Sequence, residues 1–280
     1  MPHVCILSSV HSALDNRVFY REAQSLRNAG YTVTLIAVYP SSITKNGVKI
    51  IGLPQVPRWQ RPRLWWRLMH IALAEKADIY HFHDPELLLV TPWLRWYTGK
   101  PTIYDIHEVY ADFLRVKDYM PTWIRNPTAF IFRWLEPLLA RLQSALIFSD
   151  GEIAKNFRNI NLPKETLYNF PSITFVKQGI AQTNNYATRS PIVLHLGGLE
   201  RNRGTELIID AFAQVFQKFH TARLLLVGKY TPPDLVNEVR NHAKRNVSGS
   251  MFLNTAFQFT DIHIAFKGCI QCEIKSFITQ

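Results

Sequence analysis

Short apolar runs alternate along this chain with longer stretches in which apolar residues recur every three or four positions, and that alternation predicts strands and helices in turn. His3–Leu7 reads as a buried first strand. Asp15 is placed to cap a helix through Asn28, which Gly30 stops, and Thr32–Val38 follows as the second strand. Further strands are expected at Val48–Ile51, Ile79–Phe82, Thr102–Ile106 and Ala145–Phe148, each followed by a helix-compatible stretch or a proline-marked loop. The segment Gln178–Ser190 is polar and without period, which suits a linker. A second array then opens: strand Ile192–Leu196, helix Arg203–Phe219, strand Arg223–Val227, helix Pro233–Lys244 and strand Ile262–Phe266. Strands that alternate with helices point to an α/β protein with parallel sheets, divided into a domain over 1–177, a linker over 178–190 and a second array over 191–280. No fixed-period repeat or low-complexity tract interrupts the pattern.

Composition narrows the class. Hydrophobic residues make up 47% of the 280 and charged residues 19%, enough for a buried core and far from a disordered composition. The apolar stretch around Ala129–Phe132 is broken by Arg133, Glu136 and Arg141, well short of the roughly 18 residues that a membrane span needs. Cys5, Cys269 and Cys272 are an odd set with no secretory leader before them, so a reducing, cytoplasmic setting is expected. Cys269 and Cys272 have the CxxC spacing but no second pair, and coincidence is the simpler reading. A net charge of +11 calls for an anionic partner. Arg58, Arg61, Arg63 and Arg67 lie among Trp59, Trp65 and Trp66, which could place a helix at an anionic membrane, here the inner surface. The plainer reading, a helix with its apolar side on the sheet and its arginines in water, is preferred. Nucleic acid is not expected, because the other basic residues are scattered and no binding motif accompanies them.

Parallel sheets carry their chemistry at the carboxyl ends of strands. Four such places stand out. Ser8–Arg17 combines hydroxyls, His11 and a helix start at Asp15 that could hold a polar or anionic group, or serve only as loop and cap. His81-Phe-His-Asp-Pro85 has two histidines on one strand face, a weak metal signal, and Asp84-Pro85 is a common helix start, so a structural role is preferred. Asp105-Ile-His-Glu108 puts His107 and Glu108 at a strand end, where a functional role outweighs a core histidine beside a helix-starting acid. The Gly197–Gly204 loop pairs glycines, which allow close backbone approach, with Arg201 and Arg203, which can pair with phosphate oxygens; a plain strand-to-helix turn is the alternative. The loop after Leu7 holds no glycine, which argues against a dinucleotide-binding oxidoreductase.

Five segments then carry a resemblance: Leu14–Leu35, Ile79–Glu86, Tyr104–Glu108, Leu167–Pro171 and Gly197–Gly204. In that order they resemble the large family of retaining, nucleotide-sugar-dependent bacterial glycosyltransferases of the GT-B fold. Similarity extends from about His3 to Ile278, through Ile264–Ile270 and Glu273-Ile. The resemblance implies two Rossmann-like domains, the acceptor bound mainly by the first and the donor mainly by the second. It implies that His107 orients the transferred sugar as the catalytic histidine, and that His11, Asp15 and Glu108 border the acceptor. On the donor side it implies Gly197, Gly198, Arg201, Arg203 and Asn169, with Arg203 on the donor diphosphate. Gly198 stands where relatives often have an arginine, so Arg201 would substitute or that contact would be absent. No cofactor is implied, the nucleotide-diphosphate sugar being a substrate. No metal is implied either, and no Asp-x-Asp pair is present to hold one.

The family continues beyond the element at Gly268 with a pair of donor-binding glutamates, and Glu273 is the only acid here after Asp261. The expectation is therefore a second domain that is incomplete and C-terminally truncated, with apolar surface such as Ile264, Phe266 and Phe277 left at an open sheet edge. The function expected is transfer of a sugar to a saccharide or lipid-linked acceptor, impaired by the missing donor segment. The alternative is a non-catalytic accessory or fragment chain that binds a partner.

Overall fold

The computed structural model describes residues 1–116, 120–171, 173, 176–177, 191–246 and 252–254. The chain divides into two compact units, Met1–Ala181 and Gln182–Gln280. The expected linker 178–190, the strand Ile262–Phe266 and the residues Cys269, Cys272, Glu273 and Phe277 lie outside the described residues.

The first unit is built on β1 (His3–Ser12), β2 (Thr32–Val38), β3 (Ile43–Lys45), β4 (Val48–Leu53), β5 (Ile79–Phe82), β6 (Thr102–Ile106), β7 (Ala145–Phe148) and β8 (Lys164–Thr166). They form one sheet in the order β3-β4-β2-β1-β5-β6-β7-β8, parallel except for β3 against β4. Its helical segments are a π-helical stretch Asn16–Ala23 that continues into α1 (Gln24–Asn28), then α2 (Arg61–Glu75), α3 (Thr91–Thr98), α4 (Tyr110–Arg115), α5 (Thr122–Ala140) and α6 (Gly151–Lys155). After β1 the chain builds outward through β2 and β4, then returns to the other side of β1 with β5. The switch in direction therefore falls between β1 and β5, where parallel sheets open a crevice at their carboxyl ends.

Both faces of the sheet are covered, which is why its central strands are continuous apolar runs. Along β1, Val4 and Ile6 join one core with Phe19, Val33 and Leu35, while Cys5 and Leu7 join the other with Leu68, Phe82 and Tyr104. Leu64, Leu68 and Ala72, spaced four apart, bury the inner stripe of α2 against that second face. A fully buried leucine of this kind contributes about 1.5–3 kcal/mol. The plainer reading of the arginine and tryptophan stretch thus describes α2.

Within the first unit the strands depart from expectation in three places. β1 runs on past Leu7 to Ser12, with a register break before Ser12 pairs with Val38; the Ser9 and Val10 amides are held there by a carboxylate from the β5 end, so the residues stay extended. β3 and β4 form a hairpin whose two-residue turn, Asn46-Gly47, takes φ of 51° and 77°, the left-handed pair that such turns need. β8 is a short polar edge strand beside β7, without an apolar run to announce it.

The second unit contains β9 (Ile192–Leu196), β10 (Leu199–Glu200), β11 (Arg223–Val227), β12 (Tyr230–Thr231) and β13 (Phe252–Asn254), with helices α7 (Thr205–Lys218) and α8 (Leu235–Asn246). β13, β11 and β9 are parallel, and β10 pairs with β12. Ile209, Phe212, Leu224, Leu226 and Val239 make its core. Among the described strands β9 is an edge, and Ile192, Val193, Leu194 and Leu196 on it are exposed. Gly228 packs so closely on the strand-end loop that a Cβ there would lie 1.6 Å from the carbonyl oxygen of Gly197. No helix among the described residues is long and apolar enough to cross a membrane.

α5 is held to β6 by an unusual group. Glu136 is buried, and the Tyr104 hydroxyl donates to its Oε1 at 2.8 Å. Burial pushes its pKa up to about 7, although the tyrosine bond pulls the other way. The unfolded chain ionises Glu136 at the ordinary carboxylate value while the fold keeps it neutral. Its contribution is thus fully present at low pH and is lost as pH rises from about 4.5 to about 7. Glu136→Gln keeps the acceptor and removes the charge. We expect it to be more stable than the parent by about 2–3 kcal/mol at alkaline pH in chemical denaturation, with the gap closing below the carboxylate range. Equal stability of the two proteins across that range would contradict this.

Candidate active site

At the switch point the end of β5 organises the loop of β1. Asp84 is nearly fully buried, and its Oδ2 accepts the Ser9 amide at 2.5 Å, the Val10 amide at 3.2 Å and the Ser8 hydroxyl at 2.9 Å. Its Oδ1 lies 3.4 Å from His11 Nε2. Asp84 begins the 3₁₀ turn Pro85–Leu89, as Asp-Pro suggests, but its side chain does not cap that turn. The buried amide of Ser9 needs a partner and the proline nitrogen offers none, so the carboxylate turns back to β1 and takes the Val10 amide with it. Glu86 continues the tie: Trp65 Nε1 donates to its Oε1 at 2.8 Å, and Arg61 pairs with its Oε2 at 3.1 Å. His11 is partly exposed, with Nδ1 4.0 Å from Asp15 Oδ2.

Asp15 caps the helical segment after β1 through Oδ1, which accepts the Arg17 and Val18 amides at 2.8 and 3.1 Å. The turns that follow are π-helical, with i→i+5 bonding that carries Arg17 and Glu22 to the same side, facing the sheet. The Arg17 guanidinium lies over Asp105, its Nη2 2.9 Å from Oδ1 and 3.0 Å from Oδ2, and its Nε is 2.8 Å from Glu22 Oε1. Nη1 donates to the Leu167 carbonyl at 2.8 Å and to Asn169 Oδ1 at 3.0 Å. One arginine therefore joins the first helical turn, the end of β6 and the loop beyond β8.

Three imidazoles close the cluster. His81 Nε2 is 3.4 Å from Asp105 Oδ2, His83 Nε2 is 3.3 Å from Glu22 Oε2, and His83 Nδ1 is 3.0 Å from His107 Nε2. His107 Nε2 also lies 3.4 Å from Asp105 Oδ1, and the His107 carbonyl accepts the Ser149 hydroxyl at 2.8 Å. Burial, reinforced by His81, holds His83 well below the ordinary histidine pKa, so it is neutral. Burial pushes Glu22 well above the usual carboxylate range, and the neighbouring charge of Asp105 adds to this. Burial acts against Asp105 as well, but bonds from His107 and His81 outweigh it and keep its carboxyl well below that range. The result is one ionised carboxylate against one guanidinium, with a neutral His83 and a Glu22 driven toward its neutral form beside them.

Donor atoms of Glu22, His83, Asp105 and His107 lie within 4.8 Å of one another, a spacing that could hold a metal ion. The nearest positive charge is already supplied from within: Arg17 contacts both carboxylates. The weaker metal signal read at His81, His83 and Asp84 dissolves, since Asp84 is engaged with the β1 loop.

The expected site residues separate as follows. His107, His11 and Asp15 gather at the switch point of the first unit, with the rings of His11 and His107 5.8 Å apart. His107 keeps 13% of its side chain exposed. Asn169, expected on the donor side, is held in the first unit by Arg17 and by Arg21 at 3.1 Å. Glu108 is exposed and lines a separate small cavity of about 40 Å³ with Asp112, Arg133 and Glu136. In the second unit, Gly197 and Gly198 follow β9, and the Gly197 amide donates to Val227 at 2.9 Å. Arg201–Arg203 form a 3₁₀ turn, so α7 starts at Thr205, later than expected, with Gly204 at its N-cap and no side chain capping it. Arg201 pairs with Glu238, while Arg203 is 60% exposed with Glu200 at 3.7 Å. Sequence reasoning missed Arg17, Glu22 and Asp105. All three lay inside segments that carried the resemblance, but only the π-helical turn brings them together.

A protein-family model described as a glycosyl transferase 4-like domain matches residues 16–169. No curated protein matches the sequence. Among solved structures, sucrose-phosphate synthase from Thermosynechococcus elongatus is similar, with a TM-score of 0.67 at 15% identity over 95% of this chain and 73% of that one. An α,α-trehalose-phosphate synthase (UDP-forming) from Burkholderia xenovorans, in complex with glucose-6-phosphate, gives 0.62 at 10% identity over 93% and 76%. Anabaena HepE, in complex with UDP and glucose, gives 0.58 at 14% identity over 91% and 70%. These likenesses show a shared GT-B fold. With the family model spanning more than half of its length, the chain belongs to the glycosyl transferase 4-like domain family.

Proposed function

We propose that this chain transfers a sugar from a nucleoside-diphosphate donor to a saccharide or lipid-linked acceptor, in the cytoplasm. The observation that carries the reading is the position of His107: it directly follows β6 at the switch point, in a segment the family model spans, and is fixed by three neighbours while part of its ring stays open. HepE was solved with UDP and glucose, and a trehalose-6-phosphate enzyme of Escherichia coli with UDP-2-fluoro glucose, which supports a UDP-sugar as the first donor to try.

In this reading the bond from the anomeric carbon to the diphosphate oxygen breaks, the nucleoside diphosphate leaves with the electron pair, and an acceptor oxygen bonds to the carbon and releases its proton. His107 is a catalytic residue in the orienting sense. With its hydrogen on Nε2, donated to Asp105, His107 turns its Nδ1 lone pair outward, a fixed acceptor for a sugar hydroxyl. Arg17, Asp105 and His83 are positioning residues, acting through His107. His11 and Asp15 border the acceptor, and Glu108 is assigned to its outer rim. Arg203 and the uncapped start of α7 stabilise charge growing on the diphosphate, beside Gly197 and Gly198. Arg201 is committed to Glu238 and serves more weakly; Asn169 acts through Arg17 and Arg21. Peripheral contact with an anionic membrane is also part of the proposal and would bring a lipid-linked acceptor within reach.

Three outcomes test this. Arg203→Ala should weaken UDP binding by calorimetry about tenfold or more, the loss of a charge-assisted contact; unchanged affinity would remove Arg203 from the donor site. His107→Ala should lower kcat of sugar transfer from UDP-glucose about tenfold to a hundredfold and leave UDP affinity intact, and a fully active variant would end the role given to it. Arg17→Met strands the buried Asp105 charge and should cost about 3–5 kcal/mol of stability in denaturant, with Arg17→Lys intermediate; a loss below about 1 kcal/mol would show that the cluster does not depend on this ion pair.

A further inference from the structure

The first unit presents an apolar face that the described residues leave open. On α5, Trp123, Phe130, Ile131, Trp134 and Leu138 are between 56% and 77% exposed. Trp123 lies two turns before Phe130 and Ile131, and Trp134 and Leu138 follow at three- and four-residue steps, all on the side opposite the buried Ala129, Glu136 and Ala140, so they form one stripe. α3 adds Trp93, Trp96 and Tyr97, from 57% to 78% exposed. α3 is tied to the segment just after α5, where the Arg95 guanidinium donates to the carbonyls of Leu142 and Gln143 at 2.7 and 2.8 Å. Trp96 and Leu142 there share the walls of an open recess of about 320 Å³. A contiguous patch of this kind on a soluble fold marks an interaction surface.

Its charge selects the occupant. Between Glu86 and Asp105, the stretch that contains α3, the sequence has no acid. Between Asp118 and Asp150, which contains α5, the one acid is Glu136, and that is buried on Tyr104. Arg133 and Arg141 lie exposed beside the stripe, with no exposed carboxylate on α5 itself, although Arg133 shares a small cavity with Glu108 and Asp112 of the neighbouring segment. A second copy seated on this face would set the same arginines against each other across a two-fold axis. An anionic lipid surface answers both features: indole and phenol rings sit at the level of the headgroups, and guanidinium groups pair with their phosphates. The basic stretch at α2 is a poorer candidate, since Leu64, Leu68 and Ala72 are turned inward and Arg61 is paired with Glu86.

We infer that the chain docks on an anionic membrane through the outer faces of α3 and α5, lying on the bilayer without crossing it. The inference deepens the membrane contact of the proposed function and does not depend on sugar transfer.

The test is co-sedimentation of the full chain with vesicles of phosphatidylcholine, with and without phosphatidylglycerol. Binding should require phosphatidylglycerol and weaken with added salt. Trp96→Ser with Trp134→Ser, both at highly exposed positions, should reduce it about tenfold or more, with the circular dichroism and melting temperature of the parent. Arg133→Gln and Arg141→Gln should each cost about fivefold. Trp59→Ser with Trp66→Ser, at α2, should leave binding unchanged. A parent chain that stays in the supernatant, binding that survives the α3 and α5 substitutions, or loss on the α2 substitutions alone would overturn the inference. So would a concentration-dependent dimer that the same tryptophan changes abolish, which gives the face to a second copy. UDP calorimetry on the same samples keeps the two readings apart: vesicle binding without UDP binding fails only the donor site, and the reverse fails only the docking face.

Discussion

The pairing of Arg17 with Asp105 is the interaction on which the first unit's site depends. Both groups are buried, and neither could stay charged there alone. Together they force three separate parts of the chain to one place: the first helical turn after β1, the end of β6, and the loop of Leu167 and Asn169. Once Asp105 is held ionised, its neighbours have little freedom. Glu22 is driven toward its neutral form, His83 is kept neutral by burial, and His107 is left with one nitrogen engaged inside and a small part of its ring open. A buried ion pair of this type is a poor source of stability against a well-packed apolar alternative, and its retention makes most sense as a device for fixing the geometry of what stands beside it.

A second carboxylate does the same for the loop. Asp84 takes the amides of Ser9 and Val10, the first of which would otherwise be orphaned at the point where β1 leaves the sheet, and so sets the place of His11. Carboxylates at adjoining strand ends, Asp84 after β5 and Asp105 at the end of β6, thus define the floor of the crevice.

Much of the architecture was legible in the sequence for a simple reason. Strands packed inside a sheet are mostly apolar, so Ile79–Phe82, Thr102–Ile106, Ala145–Phe148 and Arg223–Val227 stand out between polar punctuation and match the observed strands residue for residue. Elements without that constraint escaped: β8 is polar, and β3 is a three-residue strand known only by its Asn-Gly turn. In the site, His107, His11 and Asp15 were visible because each lies at a strand end or a cap, positions that sequence spacing announces. Arg17 and Glu22 were not. Five residues apart, they point in different directions on an ordinary α-helix, and only π-helical winding, which leaves no periodic mark in the sequence, aligns them. Glu136 was hidden in the same way: a charged residue in a helix reads as a solvated position until the fold puts Tyr104 against it.

The protonation state of His83 offers the most direct test of the central claim, that a neutral His83 beside the buried Arg17–Asp105 pair is held in one tautomer and fixes His107. Imidazole nitrogen chemical shifts followed by NMR through a pH titration of the full chain would read it. The account predicts a His83 that stays neutral through the ordinary histidine range, in one tautomer, bonded to His107. A His83 that protonates near its ordinary value, or exchanges freely between tautomers, would contradict it.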